Sequence, residues 1–522
     1  MRLLKSTAII GSLTMLSRIL GLVRDILLAK YLGASVINDA LVTAVKLPNL
    51  FRRMFAEGAF NAAFVPLYAR EIEENGDAAA ARFAGQAMAA LFVLVASITL
   101  FFQITMPWSL NIVGFGLDRE STLGGTAPYD LAVLYARITM PYLVLMSLAA
   151  LFSGVLNTRG RFAAAAFAPV LLNLVLIGVL VWTSRQDMNM ERLALYLSVG
   201  WTVSGVLQAG LLYWNIKQAK IKLPIFRPRL TPSVKRLFTL GVPGMISAGI
   251  THINLMVSHL IATTQDSAAS WLYYSDRLYQ LPLGMIGIAM GIALLPALSR
   301  RLQGGDEDGA MMTMNRAMEI AAFLTLPATI ALAVMPEFLI SALFERGEFT
   351  SSDTLQAAKA LRMFAFGLPA FVLLKVLTPA FFARENTKTP MVFAGISAII
   401  NLTFGAALFF TIGFYGLALA TSIAAWVNVL CLSISLMRRK HFILDGRVLL
   451  RLPRIALAAA LMGGALAFLV PQASPLLEGR IIIDYPILLA VCAAGFFIYA
   501  LAALLLRAFG LADIRDAFSK SS

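Results

Sequence analysis

Charge is scarce in this chain: 14% of its 522 residues are Asp, Glu, Lys or Arg, against 59% hydrophobic residues. Mean hydropathy is +0.79, which excludes a soluble globular protein of this size and indicates a polytopic membrane protein. Cysteine is nearly missing. Cys431 and Cys492 both sit in apolar runs, which rules out a disulfide framework and a cysteine metal site. Of the three histidines, His252 and His259 share a helix face but lack a third ligand, so they read as hydrogen-bonded interior residues and no metal site is expected. The chain has no Gly-rich nucleotide loop, no nucleophile elbow and no helical His-Glu metal pair. No catalytic residues and no cofactor are therefore expected, and uphill movement of a solute would draw on the membrane potential or an ion gradient.

What is present is a series of long apolar runs. Windows of about 20 residues give fourteen spans: 6–30, 37–68, 83–107, 131–157, 162–184, 193–215, 237–262, 268–298, 317–340, 363–383, 391–411, 415–437, 455–472 and 485–506. The first, preceded by Arg2 and Lys5, imitates a signal peptide. It lacks a small-residue cleavage site and carries two arginines, so it reads as a retained span. Between spans, 27 lysines and arginines fall on one side and eight on the other. This bias puts both termini in the cytoplasm by the positive-inside rule. The formal charge of +15 is then a topology signal, and nucleic acid is not an expected partner.

Thirteen charges remain inside the spans: Arg18, Arg24, Lys46, Arg52, Arg53, Arg137, Arg277, Lys375, Asp25, Asp39, Glu57, Asp276 and Glu319. Each costs on the order of 3 kcal/mol at mid-membrane. Arg53, Glu57, Arg137 and Lys375 lie near span ends and read as snorkelling groups. In the first span Thr14, Ser17, Arg18, Gly21, Arg24 and Asp25 keep the spacing of one helix face. A helix in lipid turns such a stripe toward protein or a water-filled cavity. In the second span Asp39, Lys46 and Arg53 lie at i+7 steps and Pro48 and Gly58 interrupt the helix, which reads either as a kinked, charged gate or as a static kink supported by neighbouring helices. Tyr273, Asp276, Arg277, Gln280 and Gly284 repeat the one-face spacing in the eighth span. Asp276 and Arg277 are adjacent and so point apart.

The loop Lys217–Arg236, with Pro224, Pro228 and Pro232, marks a linker between two halves. Pro141 to Asn173 and Pro369 to Asn401 are both 32 residues and both enclose a short basic turn. This implies a parallel repeat of six spans, with a cavity between two lobes. The expected division is 1–222, 223–440 and a two-span addition over 441–522 that offers lipid-facing surface. An arginine-rich cavity suits an anionic ligand, and guanidinium suits phosphate. A lipid-linked phosphate is the natural candidate.

Met15-Leu-Ser-Arg-Ile-Leu-Gly-Leu-Val-Arg-Asp25, Asn38-Asp-Ala40, Lys46 to Phe60 (KLPNLFRRMFAEGAF), Phe64-Val-Pro66 and Tyr273-Tyr-Ser-Asp-Arg-Leu278 resemble the MurJ (MviN) family of bacterial lipid II flippases. The resemblance extends over essentially the whole chain, and its Lys46–Phe60 stretch is long and specific. It implies the multidrug/oligosaccharidyl-lipid/polysaccharide exporter superfamily and an all-α protein of the bacterial cytoplasmic (inner) membrane. Such a protein moves undecaprenyl-diphosphate-linked peptidoglycan precursor outward by alternating access, as a monomer with lipid II and membrane lipids as partners. Arg18, Arg24, Arg52 and Arg277 match family arginines that engage the diphosphate. Ser17, Asp25, Asp39, Lys46, Glu57 and Asp276 fall to the cavity or gate, and the last two spans to a groove for the lipid tail. The chain departs from the family at an acidic sodium ligand of the seventh span, where it offers His252, Asn254 and His259. Asn401 and Thr421 remain as candidate oxygens of a cation site, and coupling to membrane potential or Na⁺ stays open. Three other functions compete: a flippase for another polyprenyl-diphosphate oligosaccharide, a cation-coupled drug antiporter of the same superfamily and a membrane transferase. The antiporter would need a net-acidic cavity, and the transferase a carboxylate cluster for a divalent metal.

Overall fold

The computed structural model describes residues 2–53, 59–118, 120, 126–186, 188–229 and 231–508, without the side chains of 2–8, 59–62, 242–255, 288–289 and 291–293. These residues form sixteen α-helices and no strand. They are α1 (Arg2–Leu32), α2 (Val36–Arg52), α3 (Ala59–Val113), α4 (Pro128–Thr139), α5 (Tyr142–Thr158), α6 (Ala163–Thr183), α7 (Met190–Gln218), α8 (Pro232–Ala262), α9 (Ala268–Gln303), α10 (Glu307–Val334), α11 (Pro336–Phe344), α12 (Ser351–Phe382), α13 (Lys388–Ile412), α14 (Tyr415–Arg438), α15 (Gly446–Ala473) and α16 (Ile481–Leu505). Within the described residues helix covers most of every expected span. Among the described residues ten stretches are long and apolar enough to cross a membrane, which makes the chain a multi-pass membrane protein. The helices that carry Arg18, Arg24, Asp25, Asp39, Lys46, Arg52, Asp276 and Arg277 lie outside those ten. Arg53, Arg137 and Lys375 are exposed, and Glu57 lies outside the described residues.

The chain forms two compact units, Met1–Ser270 and Trp271–Ser522. In the first, α1 packs on α6, α2 on α4, α3 on α5 and α8, and α7 on α5 and α6. In the second, α12 and α13 pack on α14, and α10 packs on α12 and α15. Helix ends follow local chemistry. Ser35, Asn189, Asp306 and Asp445 accept the N–H three residues on, and Thr350 and Asp353 form a capping box. α3 breaks at Gly76, whose φ of +75° ends one helical limb and starts the next.

Four helices stop in the same way. After α5, Arg161 N–H closes on Leu156 O at 2.9 Å, and after α12, Asn386 N–H closes on Phe381 O at 2.9 Å. After α7, Ile221 N–H closes on Ile216 O at 3.2 Å, and after α14, His441 N–H closes on Leu436 O at 3.0 Å. The residue before each closing N–H, Gly160, Glu385, Lys220 or Lys440, has φ between +55° and +74°. All four are Schellman-type ends, which satisfy orphan carbonyls without extending the helix.

α15 and α16 pack on each other and on α10 and α11 through Met335, Phe338, Ile455, Met462, Leu466 and Val491. Gly463 is required there: a Cβ would lie 2.5 Å from Ile330 Cγ2. The outer faces of this pair leave Phe468, Leu489, Phe496 and Phe497 exposed, as expected for lipid-facing surface. The pair is also fastened by charge at both ends. At one end Arg316 reaches Glu319 and Asp445, each at 2.8 Å, Arg447 lies 3.3 Å from Glu319, and Arg451 donates to the same carboxylate. At the other, buried Arg346 and Asp484 approach to 3.7 Å, Arg346 lies over Tyr485, and Asp484 accepts from Glu478 N–H at 2.9 Å. Sequence reading treats Arg316, Arg447 and Arg451 as topology signals and nothing more. The structure corrects this, because they surround a buried carboxylate that would be costly in lipid alone.

Candidate functional site

The stripe of α1 is organised by Asn173 of α6. Arg24 is 8% exposed and Asp25 2%, so neither charge can be left to solvent. Arg24 Nε and Nη2 donate to Asp25 Oδ1 at 3.0 and 2.8 Å. Arg24 Nη1 donates to Asn173 Oδ1 at 3.0 Å, and the guanidinium lies 5.9 Å from the centre of the Trp201 ring of α7. Asn173 Nδ2 in turn donates to Ser17 O at 2.8 Å and to Ser17 Oγ at 3.4 Å. One amide therefore ties the helix backbone at Ser17 to the guanidinium two turns on. Arg18 is part-exposed and, among the described residues, makes no hydrogen bond or ion pair. Its neighbour Arg24 carries a locally balanced charge, whereas Arg18 does not.

On α2, Asp39 Oδ1 accepts from Ser270 N–H at 2.8 Å and from Ser270 Oγ at 2.5 Å, so the carboxylate caps the first turn of α9. Asn38 Nδ2 donates to Ser270 Oγ and Gly33 O, both at 3.0 Å. One turn further in, Thr43 Oγ1 meets His259 Nε2 at 2.9 Å in a buried contact, which matches the reading of an interior histidine. Lys46 is part-buried, and Arg52 Nε donates to Asn49 Oδ1 at 3.1 Å. On α9 in the second unit, Arg277 folds over Tyr273, its guanidinium 4.7 Å from the ring centre and Nη2 3.3 Å from the hydroxyl. Asp276 accepts from Gln280 one turn later. The two neighbours thus engage separate partners, as adjacency on a helix dictates.

A family model described as "Lipid II flippase MurJ" matches residues 28–476. The chain is 43% identical over 483 residues to the probable lipid II flippase MurJ of Rhizobium meliloti (strain 1021), covering 91% of this chain and 90% of that one. It is 37% identical to the probable lipid II flippase MurJ of Vibrio cholerae, covering 89% of each. The chain belongs to the MurJ family. Its fold is similar to a solved structure described as lipid II flippase MurJ in an inward closed conformation, with a TM-score of 0.77 at 24% identity over 95% of this chain and 97% of that one. It is also similar to an inward-facing MATE transporter of the MOP superfamily, with a TM-score of 0.69 at 15% identity over 83% of this chain and 98% of that one.

In this MurJ-family chain the candidate cation oxygens are together. Thr421 Oγ1 lies 3.2 Å from Asn401 Oδ1 and 2.9 Å from Leu417 O, and Asn401 is 2% exposed. Among the described residues no three of His, Cys, Asp and Glu cluster as metal ligands. Asn173 and Asn401 are both buried hydrogen-bonding amides. Two site residues escaped sequence reading. Asn173 was a single amide in an otherwise conventional apolar span, and its 32-residue distance from Pro141, shared by Asn401, was the signal that could have found its role. Trp201 carried none.

Proposed function

We propose that this chain is a lipid II flippase of the bacterial inner membrane, carrying the undecaprenyl-diphosphate-linked precursor from the inner to the outer leaflet by alternating access. The observation that carries the site reading is the Arg24 clamp, a buried guanidinium held by Asp25, Asn173 and Trp201. A guanidinium fixed before the ligand arrives loses little entropy on binding, and a diphosphate would take over from Asp25 as its anionic partner, in a geometry that suits guanidinium. We assign the diphosphate to Arg18, Arg24, Arg52 and Arg277, with Ser17, Asp25, Asp39, Lys46, Glu57 and Asp276 as the polar groups that position them or gate access.

The remaining features follow the same reading. Fourteen spans with both termini cytoplasmic accord with the loop charge bias. No prosthetic group takes part, and the driving force is the membrane potential or a sodium gradient. One charge crossing 100 mV supplies about 2.3 kcal/mol, and Asn401 with Thr421 would be the sodium oxygens. The working form is a monomer. The test is rescue: in bacteria depleted of their own lipid II flippase, this chain should restore lipid II to the outer leaflet. Failure to do so at normal membrane abundance would refute the assignment.

A further inference from the structure

α13 is the outlying helix of its unit. Only 11% of its most apolar stretch is buried, and its packing is almost entirely against α14. Where the two helices meet, Phe393 of α13 and Cys431, Ile434, Ser435, Arg438 and Arg439 of α14 line an open cavity of about 410 Å³. Its walls are apolar, and Ile434 is 48% exposed. Two of the lining residues, Arg438 and Arg439, are arginines. Arg439 makes one long contact, from Nη2 to Thr389 Oγ1 at 3.4 Å. Arg438 has no hydrogen bond or ion pair among the described residues.

No carboxylate among the described residues pairs with either arginine. Glu307, which acts on the adjoining His441, is taken by Arg384 at 2.5 Å. The helix stops at this place because Lys440 adopts φ +58° and His441 N–H closes back on Leu436 O, so Arg438, Arg439 and Lys440 are gathered on its last turn and exit. His441 feels the resulting field. Burial holds its pKa below the usual histidine value, and the Arg384 and Arg439 guanidinium groups push the same way against Glu307.

We propose that this cavity binds an anionic phospholipid, with its phosphate between Arg438 and Arg439 and an acyl chain along Phe393 and Ile434. Unpaired guanidinium groups beside an apolar wall call for a ligand that is anionic at one end and hydrocarbon at the other. A zwitterionic lipid brings its own cation to a cavity whose lining already includes two. The proposal needs only that the cavity open at a membrane surface, so it stands or falls separately from lipid II transport.

The chain carries its own probes. Cys431 is in the cavity wall, and Cys492, on α16, is outside it; both are free thiols. In detergent-purified protein, maleimide alkylation of each cysteine is followed by peptide mass with added phosphatidylglycerol, phosphatidylcholine or undecaprenyl phosphate. Phosphatidylglycerol should slow alkylation of Cys431 by about tenfold at roughly ten times its dissociation constant, as mass action requires. Cys492 should not change. Phosphatidylcholine should do little, and the R438Q/R439Q double variant should lose the protection while its lipid-free alkylation matches the parent. Native mass spectra give an independent count, one retained phosphatidylglycerol on the parent and none on the variant. Equal protection by phosphatidylcholine, stronger protection by undecaprenyl phosphate, or unchanged retention in the variant would each overturn the proposal.

Discussion

Asn173 holds Arg24 by one end of its amide and the α1 backbone by the other: Oδ1 accepts from Arg24 Nη1 at 3.0 Å while Nδ2 donates to Ser17 O at 2.8 Å. A side chain of α6 therefore sets where the guanidinium of α1 points. Asn173→Ala should leave membrane abundance near normal and lower lipid II translocation roughly tenfold, about 1.4 kcal/mol of lost positioning. Translocation at the parent rate with Arg24 intact would remove Asn173 from the site.

Glu319 is the centre of the charge cluster that fastens α15 to α10. Glu319→Gln leaves Arg316, Arg447 and Arg451 around a neutral amide and should destabilise the protein by up to about 3 kcal/mol, a figure reduced for the part-exposed arginines. Thermal unfolding in detergent should rank Glu319→Gln as worse than Arg451→Gln, and Arg451→Gln as worse than Arg447→Gln. Equal midpoints for all three would show that the cluster contributes nothing.

The linker after α7 is seated on α3 at Gly85, where a Cβ would lie 2.2 Å from Pro224 O and 2.9 Å from the Phe226 ring. Thr231 Oγ1 and Gln86 Oε1, 3.0 Å apart, hold its far end. Gly85→Val should lift the linker and speed trypsin cleavage after Lys222 or Arg229. Unchanged cleavage would mean that the contact does not restrain it.

His441 titrates below the usual histidine value because burial and the neighbouring Arg384 and Arg439 disfavour its cation. The unfolded chain therefore binds the proton more readily than the folded one, and stability falls as pH drops below about 6.5 toward the depressed value. In His441→Gln the loss of midpoint between pH 7 and pH 5 should be smaller than in the parent. An identical loss would assign the acid sensitivity elsewhere.

The stripe on α1 was legible because charge is conspicuous in an apolar run, and its period identified one face without knowledge of a partner. Asn173 and Trp201 were not legible as its partners, since an amide or an indole in a membrane helix is cheap enough to pass unnoticed. Glu319 stood out as an interior acid. Its arginines did not, because Arg447 and Arg451 lie far along the chain from it in a basic segment that topology alone explains. Asp484 sits just before an apolar run, where an acid looks solvated; only packing against Arg346 makes it interior. Sequence periodicity reports which face of a helix is polar, and pairing across helices depends on packing that it does not encode.

In the proposed function Arg24 and Arg277 both engage the diphosphate of lipid II during its passage. The most direct measurement is the rate at which the purified chain, in proteoliposomes with a membrane potential, exposes fluorescent lipid II to an impermeant quencher. Arg24→Gln and Arg277→Gln should each lower that rate by at least about tenfold, the loss of one charged hydrogen-bonding partner, with the protein correctly inserted. Transport by both variants at the parent rate would contradict the account.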